Sequence, residues 1–190
     1  MSPELIPTAG QTLGPFYGFS LPYADGPELV PPYHPRAVLL TGTVYDGAGE
    51  PVPDALVEIW QPDENGDIPQ QRGSLRRDGH SFSGFGRCAT DPDGRYQFWT
   101  LTPGTLTGSA SAPFFSLIVF ARGLTDKLHS RIYLPAAPDA AQSPLATDPL
   151  LSTLSAAEQA SLIATRVPDG SLHHDIHLQG EEETVFLDFG

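Results

Sequence analysis

A mainly β chain, built as an antiparallel β-sandwich with long loops, an extended N-terminal arm and one short helix in the C-terminal half, is what the sequence predicts. Three observations predict it. Short apolar runs alternate with turn residues, 19 Gly and 20 Pro punctuate 190 positions, and only one segment carries helix signals at both ends. The size suits one globular domain.

Residues 1–36 read as an arm, because prolines, four of them between Pro27 and Pro35, block both helix and central strand. The domain proper spans residues 37–190. Its candidate strands are Val38–Tyr45, Ala55–Gln61, Arg95–Leu101, Phe114–Arg122, Leu128–Leu134, Leu172–Leu178 and Thr184–Phe189. Asp46-Gly47, Glu64-Asn65-Gly66 and Asp91-Pro92-Asp93-Gly94 sit between apolar runs and predict tight reversals with positive φ at glycine. Arg72–Gly86 and Gly104–Ser111 are Gly/Ser-rich and predict long loops, which in a compact domain are often functional. Pro135–Ala146 reads as a surface connection. The helix starts at Ser155, with Glu158 at capping-box spacing, runs to about Arg166 and ends before Pro168-Asp169-Gly170.

Composition narrows the function. Ten basic against 23 acidic residues give a net charge of −13 and a pI near 4.6, which excludes the basic surface that nucleic acids require. A single cysteine, Cys88, excludes an internal disulfide framework and predicts a buried thiol in a reducing compartment. With no basic leader and no apolar run of the roughly 20 residues that span a bilayer, the expectation is a soluble, cytoplasmic protein.

Candidate chemistry is sparse. His173, Asp175 and His177 share one face of a strand at two-residue spacing and could grip a metal; a solvated strand face explains them equally well. Neither a G-x-G-x-x-G nor a G-x-x-x-x-G-K phosphate loop occurs, nor a G-x-S-x-G nucleophile elbow. Arg131 lies in Leu128–Leu134, where alternation puts Leu128, Ile132 and Leu134 on one face and His129, Arg131 and Tyr133 on the other. A structural ion pair would account for such an arginine, and so would a carboxylate clamp, for which the guanidinium fork is well shaped.

Several motifs converge in order and spacing: Gln11-Thr12-Leu13-Gly14-Pro15-Phe16-Tyr17, Gly42–Gly47 leading to Val57-Glu58-Ile59-Trp60-Gln61, Gly84-Phe85-Gly86-Arg87-Cys88, Asp93-Gly94-Arg95-Tyr96, Phe120-Ala121-Arg122-Gly123, and Gly180–Phe189. On these the chain resembles, from end to end, the intradiol ring-cleavage dioxygenases, and among them the non-catalytic α type of subunit. The resemblance implies the intradiol type of β-sandwich. It also implies a reaction that opens a catechol ring between its hydroxyls at an Fe(III) centre held by two tyrosinates and two histidines.

The family's ligand-bearing subunit carries a G-P-Y turn and an R-P-x-H-x-H strand. Here Gly104-Thr105-Leu106 and Pro113-Phe114-Phe115-Ser116 stand in their place, and the other tyrosine counts back to about Ser74. Realignment cannot supply donors, since no Tyr lies between Tyr45 and Tyr96 or between Tyr96 and Tyr133, and no His between His80 and His129. The resemblance therefore implies a chain without iron or catalytic residues of its own, partnered in a hetero-oligomer by an iron-bearing β subunit. Its substrate would be a carboxylated catechol, 3,4-dihydroxybenzoate. Carried over by residue, Thr12, Gly14, Pro15 and Phe16 would wall the partner's pocket and Arg131 would meet the substrate carboxylate. Phe16 stands where some relatives have Tyr. Two other readings compete: a stand-alone, transthyretin-like binding module, and a metalloenzyme using His173, Asp175 and His177.

Overall fold

The computed structural model describes residues 12–14, 16–70, 75–137 and 143–189. Two sheets face each other. The first has strand order β4-β1-β8-β7, formed by β1 (Val38–Tyr45), β4 (Arg95–Thr100), β7 (Thr165–Arg166) and β8 (Leu172–His173), with β9 (Ile176–His177) also pairing β1. The second has order β3-β2-β5-β6, from β2 (Leu56–Trp60), β3 (Phe85–Ala89), β5 (Phe114–Phe120) and β6 (Leu128–Tyr133). Pairing is antiparallel except for β1 with β8 and with β9, which are parallel.

Strict alternation in β1 and β5 sends every second side chain inward. Leu40, Val44, Phe98, Leu172 and Ile176 meet Val57, Ile59, Phe115, Leu117, Val119 and Ile132 in the main core. A second, smaller cluster of Ala112, Tyr133, Leu151 and Leu162 lies apart from it. Tyr133 has the same parity as Arg131, so this cluster covers the outer face of the second sheet at that end.

Several expectations change. β3 falls partly inside the predicted loop Arg72–Gly86. Its glycine makes room for Leu29, whose Cδ1 methyl would have to shift for a Cβ at Gly86, and its partly buried Arg87 pairs with the buried Glu58, Nη2 to Oε1 at 2.6 Å. Thr184–Phe189 is extended but forms no strand; it is tied only at points, as where Thr184 N donates to His177 O and Leu187 N to His129 O. Leu172–Leu178 divides into β8 and β9. The capping box at Ser155 and Glu158 is present, yet the helix (Ala156–Ala160) is only five residues long. The chain leaves it so that Leu162 can enter the second cluster and Ala164 N can donate to Tyr133 O.

The turns also differ. Positive φ falls on Gly49 rather than Gly47. The Asp91–Gly94 turn joins β3 and β4, which belong to opposite sheets, so it is a crossover and not a hairpin. The Glu64–Gly66 turn lies within the long β2–β3 connection.

The arm is not devoid of helix either, since Tyr17–Ser20 makes one short turn before Pro22. Around that turn the arm lies over the outer face of the second sheet, and further on the segment 27–30 bonds to Trp99 of β4 in the first sheet and sends Leu29 into the main core. Leu13 N donates to Leu124 O, Tyr17 stacks on Phe120, its hydroxyl donates to Asp54 O, and the Arg87 guanidinium donates to Leu21 O. Cys88 is buried, and burial pushes its thiol pKa up. No helix among the described residues is long and apolar enough to cross a membrane.

Candidate functional site

The outer face of the second sheet carries the candidate site. Cross-strand register aligns Phe85, Trp60, Ser116 and Arg131 in one row over β3, β2, β5 and β6. Trp60 leans on Phe85 with ring centroids 4.3 Å apart and remains 46% exposed. Arg131 lies two strands from Trp60, about 10 Å away at ordinary strand spacing. Ser116 between them has too small a side chain to fill the gap. The row thus offers an aromatic face and a cation on either side of a shallow floor.

Arg131 is held from two sides. Its Nη1 donates to the Tyr133 hydroxyl at 3.0 Å, and its guanidinium lies over the Phe114 ring, 4.2 Å from the centroid. Phe114 is the cross-strand neighbour of Tyr133 and packs against its ring. Tyr133 in turn donates to Asp148 Oδ1 at 3.0 Å. Asp148 is fully buried, and its carboxylate also accepts from the backbone N–H groups of Ala112, Leu150 and Leu151 at 2.8, 2.9 and 3.0 Å. Burial, reinforced by the Asp148 charge and opposed by Arg131, pushes the Tyr133 phenol up to about 12, so it stays protonated at neutral pH. Among the described residues no carboxylate comes within 4.0 Å of Arg131.

The arm residues lie elsewhere. Thr12 and Gly14 are exposed near Leu124, at the turn joining β5 and β6, and Phe16 is exposed at the start of the short helix. Arg131, Phe114 and Ser116 lie toward the opposite end of those strands. The structure does not bring the arm and Arg131 together within one chain. Pro15 and Ser74 lie outside the described residues.

Leu106 sits in the loop before β5, and Phe114 and Ser116 project from one face of β5. Leucine and phenylalanine have no lone pair for a metal, so the groups at these positions do not fit Fe(III). The histidine segment is committed differently. Asp175 accepts from Thr43 N at 2.8 Å and faces His173 Nε2 at 3.2 Å, while His177 stacks on Tyr45. A cavity of about 550 Å³ opens beside it, lined in part by Glu158, His173, His174, Asp175 and Glu182. Among the described residues, no three His, Cys, Asp or Glu side chains are grouped to hold a metal ion. His174 is buried with Nε2 unpartnered, and desolvation lowers its pKa to about 4.

Sequence reasoning identified Arg131 but missed Asp148 and Trp60 as parts of this face. The signals available were weak: an Asp-Pro pair for a carboxylate that caps a turn, and an exposed tryptophan ending an apolar strand.

Comparison with known proteins agrees with this architecture. The protocatechuate 3,4-dioxygenase alpha chain of Pseudomonas putida is 38% identical across 98% of this chain and 98% of its own length. The beta chain of the corresponding enzyme from Burkholderia cepacia is 34% identical over 57% of this chain and 48% of its own length. Among solved structures, the intradiol ring-cleavage dioxygenase from Tetranychus urticae superimposes with a TM-score of 0.55 at 18% identity, covering 86% of this chain and 87% of that one. The family model described as "Dioxygenase" matches residues 20–164. With its two-sheet sandwich and near full-length likeness to an intradiol enzyme's subunit, this chain belongs to the intradiol ring-cleavage dioxygenase family.

Proposed function

We propose that this chain is the non-catalytic α subunit of a protocatechuate 3,4-dioxygenase. That enzyme adds O₂ to 3,4-dihydroxybenzoate and yields 3-carboxy-cis,cis-muconate in aromatic catabolism. The observation that carries the reading is likeness to an alpha chain over 98% of both sequences, against about half of a beta chain. The ferric ion, which supplies the oxidative chemistry, belongs in this reading to a partner β chain. The donor set at Leu106, Phe114 and Ser116 supports that division of labour.

This chain's part is electrostatic and spatial. A substrate anion approaching a protein of net charge −13 is repelled unless a local cation offsets the field. Arg131, which pairs with no carboxylate among the described residues, supplies that cation. Trp60 offers a flat apolar face across Ser116 from it. Thr12, Gly14, Pro15 and Phe16 of the arm are proposed to wall the partner chain's pocket; within one chain Thr12, Gly14 and Phe16 lie at the other end of β5 and β6 from Arg131.

Co-expression with the β chain tests the reading. The pair should purify as one iron-containing, ring-cleaving complex, while this chain alone should bind no iron and turn over nothing. Arg131→Ala in the complex should raise KM for 3,4-dihydroxybenzoate about 10-fold or more, the scale of a lost charge-assisted contact, with iron content intact. Stoichiometric iron or turnover in the isolated chain would refute the assignment.

A further inference from the structure

An arginine on an open strand face samples many rotamers, and whatever it binds must first restrict them. Arg131 has already been restricted. The restraint runs inward as a chain with fixed polarity. Three backbone N–H groups hold the Asp148 carboxylate, the single Tyr133 proton is directed to that carboxylate, and the phenol lone pairs are left to accept from Arg131 Nη1. Phe114 closes one flat side of the guanidinium. Asp148 touches the tyrosine rather than the arginine, so among the described residues the cation is oriented without being neutralised by a direct ion pair.

We infer that Tyr133, locked by Asp148, and Phe114 are positioning residues that hold Arg131 ready for a carboxylate and so set the preference for carboxylated over uncarboxylated catechols. The inference rests on the reading of Arg131 as the partner of the substrate carboxylate. It adds that the preference depends on how the guanidinium is seated as well as on its charge. It also gives Phe114 a purpose beyond filling space.

The test uses the αβ complex with 3,4-dihydroxybenzoate and with catechol, comparing Arg131→Ala, Tyr133→Phe and Phe114→Leu. Tyr133→Phe and Phe114→Leu should each raise KM for the carboxylated substrate roughly 3- to 10-fold, the scale of one oriented contact to a charged group. In both, kcat should stay within about twofold, kinetics on catechol should match the unsubstituted complex, and iron content should be unchanged. A merely structural role would depress both substrates alike and would overturn the inference. If Arg131→Ala collapses the preference while Tyr133→Phe and Phe114→Leu leave it intact, the seat is refuted and the clamp stands. If Arg131→Ala itself leaves the preference unchanged, the clamp fails and the seat fails with it. Should Tyr133→Phe not assemble, Phe114→Leu decides alone, and an unaltered KM there refutes the seat.

Discussion

Replacing His174 by leucine should make the protein markedly less sensitive to acid. The ring is buried at β8–β9 with Nε2 unpartnered, and its pKa falls to about 4 from an ordinary 6.5. Desolvation is the main cause; the Asp175 carboxylate opposes it, and His173 and His177 reinforce it. The neutral ring is therefore the folded form, whereas an unfolded chain takes up a proton near pH 6.5. Stability linked to this group is complete above that pH, declines as pH falls towards 4, and changes no further below. At about 1.4 kcal/mol per pH unit across this interval, the ceiling is about 3 kcal/mol. Urea unfolding of the native chain and His174→Leu at several pH values between 7.5 and 4.5 would measure it. Carboxylate titration common to both proteins cancels in their difference. That difference should move by about 2–3 kcal/mol in favour of the leucine variant as the solution is acidified. Curves that run parallel within about 0.5 kcal/mol would refute the claim that a neutral, buried imidazole with Nε2 unpartnered limits acid stability.

Further expectations follow from the same packing. Glu58→Gln leaves the mostly buried Arg87 guanidinium without its counter-charge and should cost about 3 kcal/mol in chemical denaturation. Gly86→Ala forces a methyl into the Leu29 side chain and should lower stability by about 1–3 kcal/mol, measured by the same unfolding series. Cys88 should resist a bulky thiol reagent in the native protein and react promptly in denaturant, since burial both shields the sulfur and disfavours its thiolate. Equal rates in the two conditions would contradict its burial.

Much of the sandwich was legible because β1 and β5 obey a two-residue rhythm that only a half-buried strand requires. β3 was not, because Gly84 and Gly86 read locally as loop. The reason for a glycine at 86 is a contact with Leu29, more than 50 residues away. The overlong helix failed for a related reason: local propensity favoured continuation, but burying Leu162 and pairing Ala164 with Tyr133 ended it early. Thr184–Phe189 had strand composition and no neighbour with which to build a ladder. At the site, Arg131 declared itself by residue type and by its place on an alternating strand. Asp148 did not, since its role exists only once the 3₁₀ segment after residue 143 has folded against β6.

The guanidinium over Phe114 also constrains what this scaffold could become. Installing imidazoles at positions 114 and 116 would add two neutral donors beside Arg131 and no anion, so a ferric ion there would meet the guanidinium with its positive charge uncompensated. Restored histidines alone would not make a metalloprotein. The anionic phenolates would have to return with them to offset the arginine, so the nearest iron site is several substitutions away rather than two.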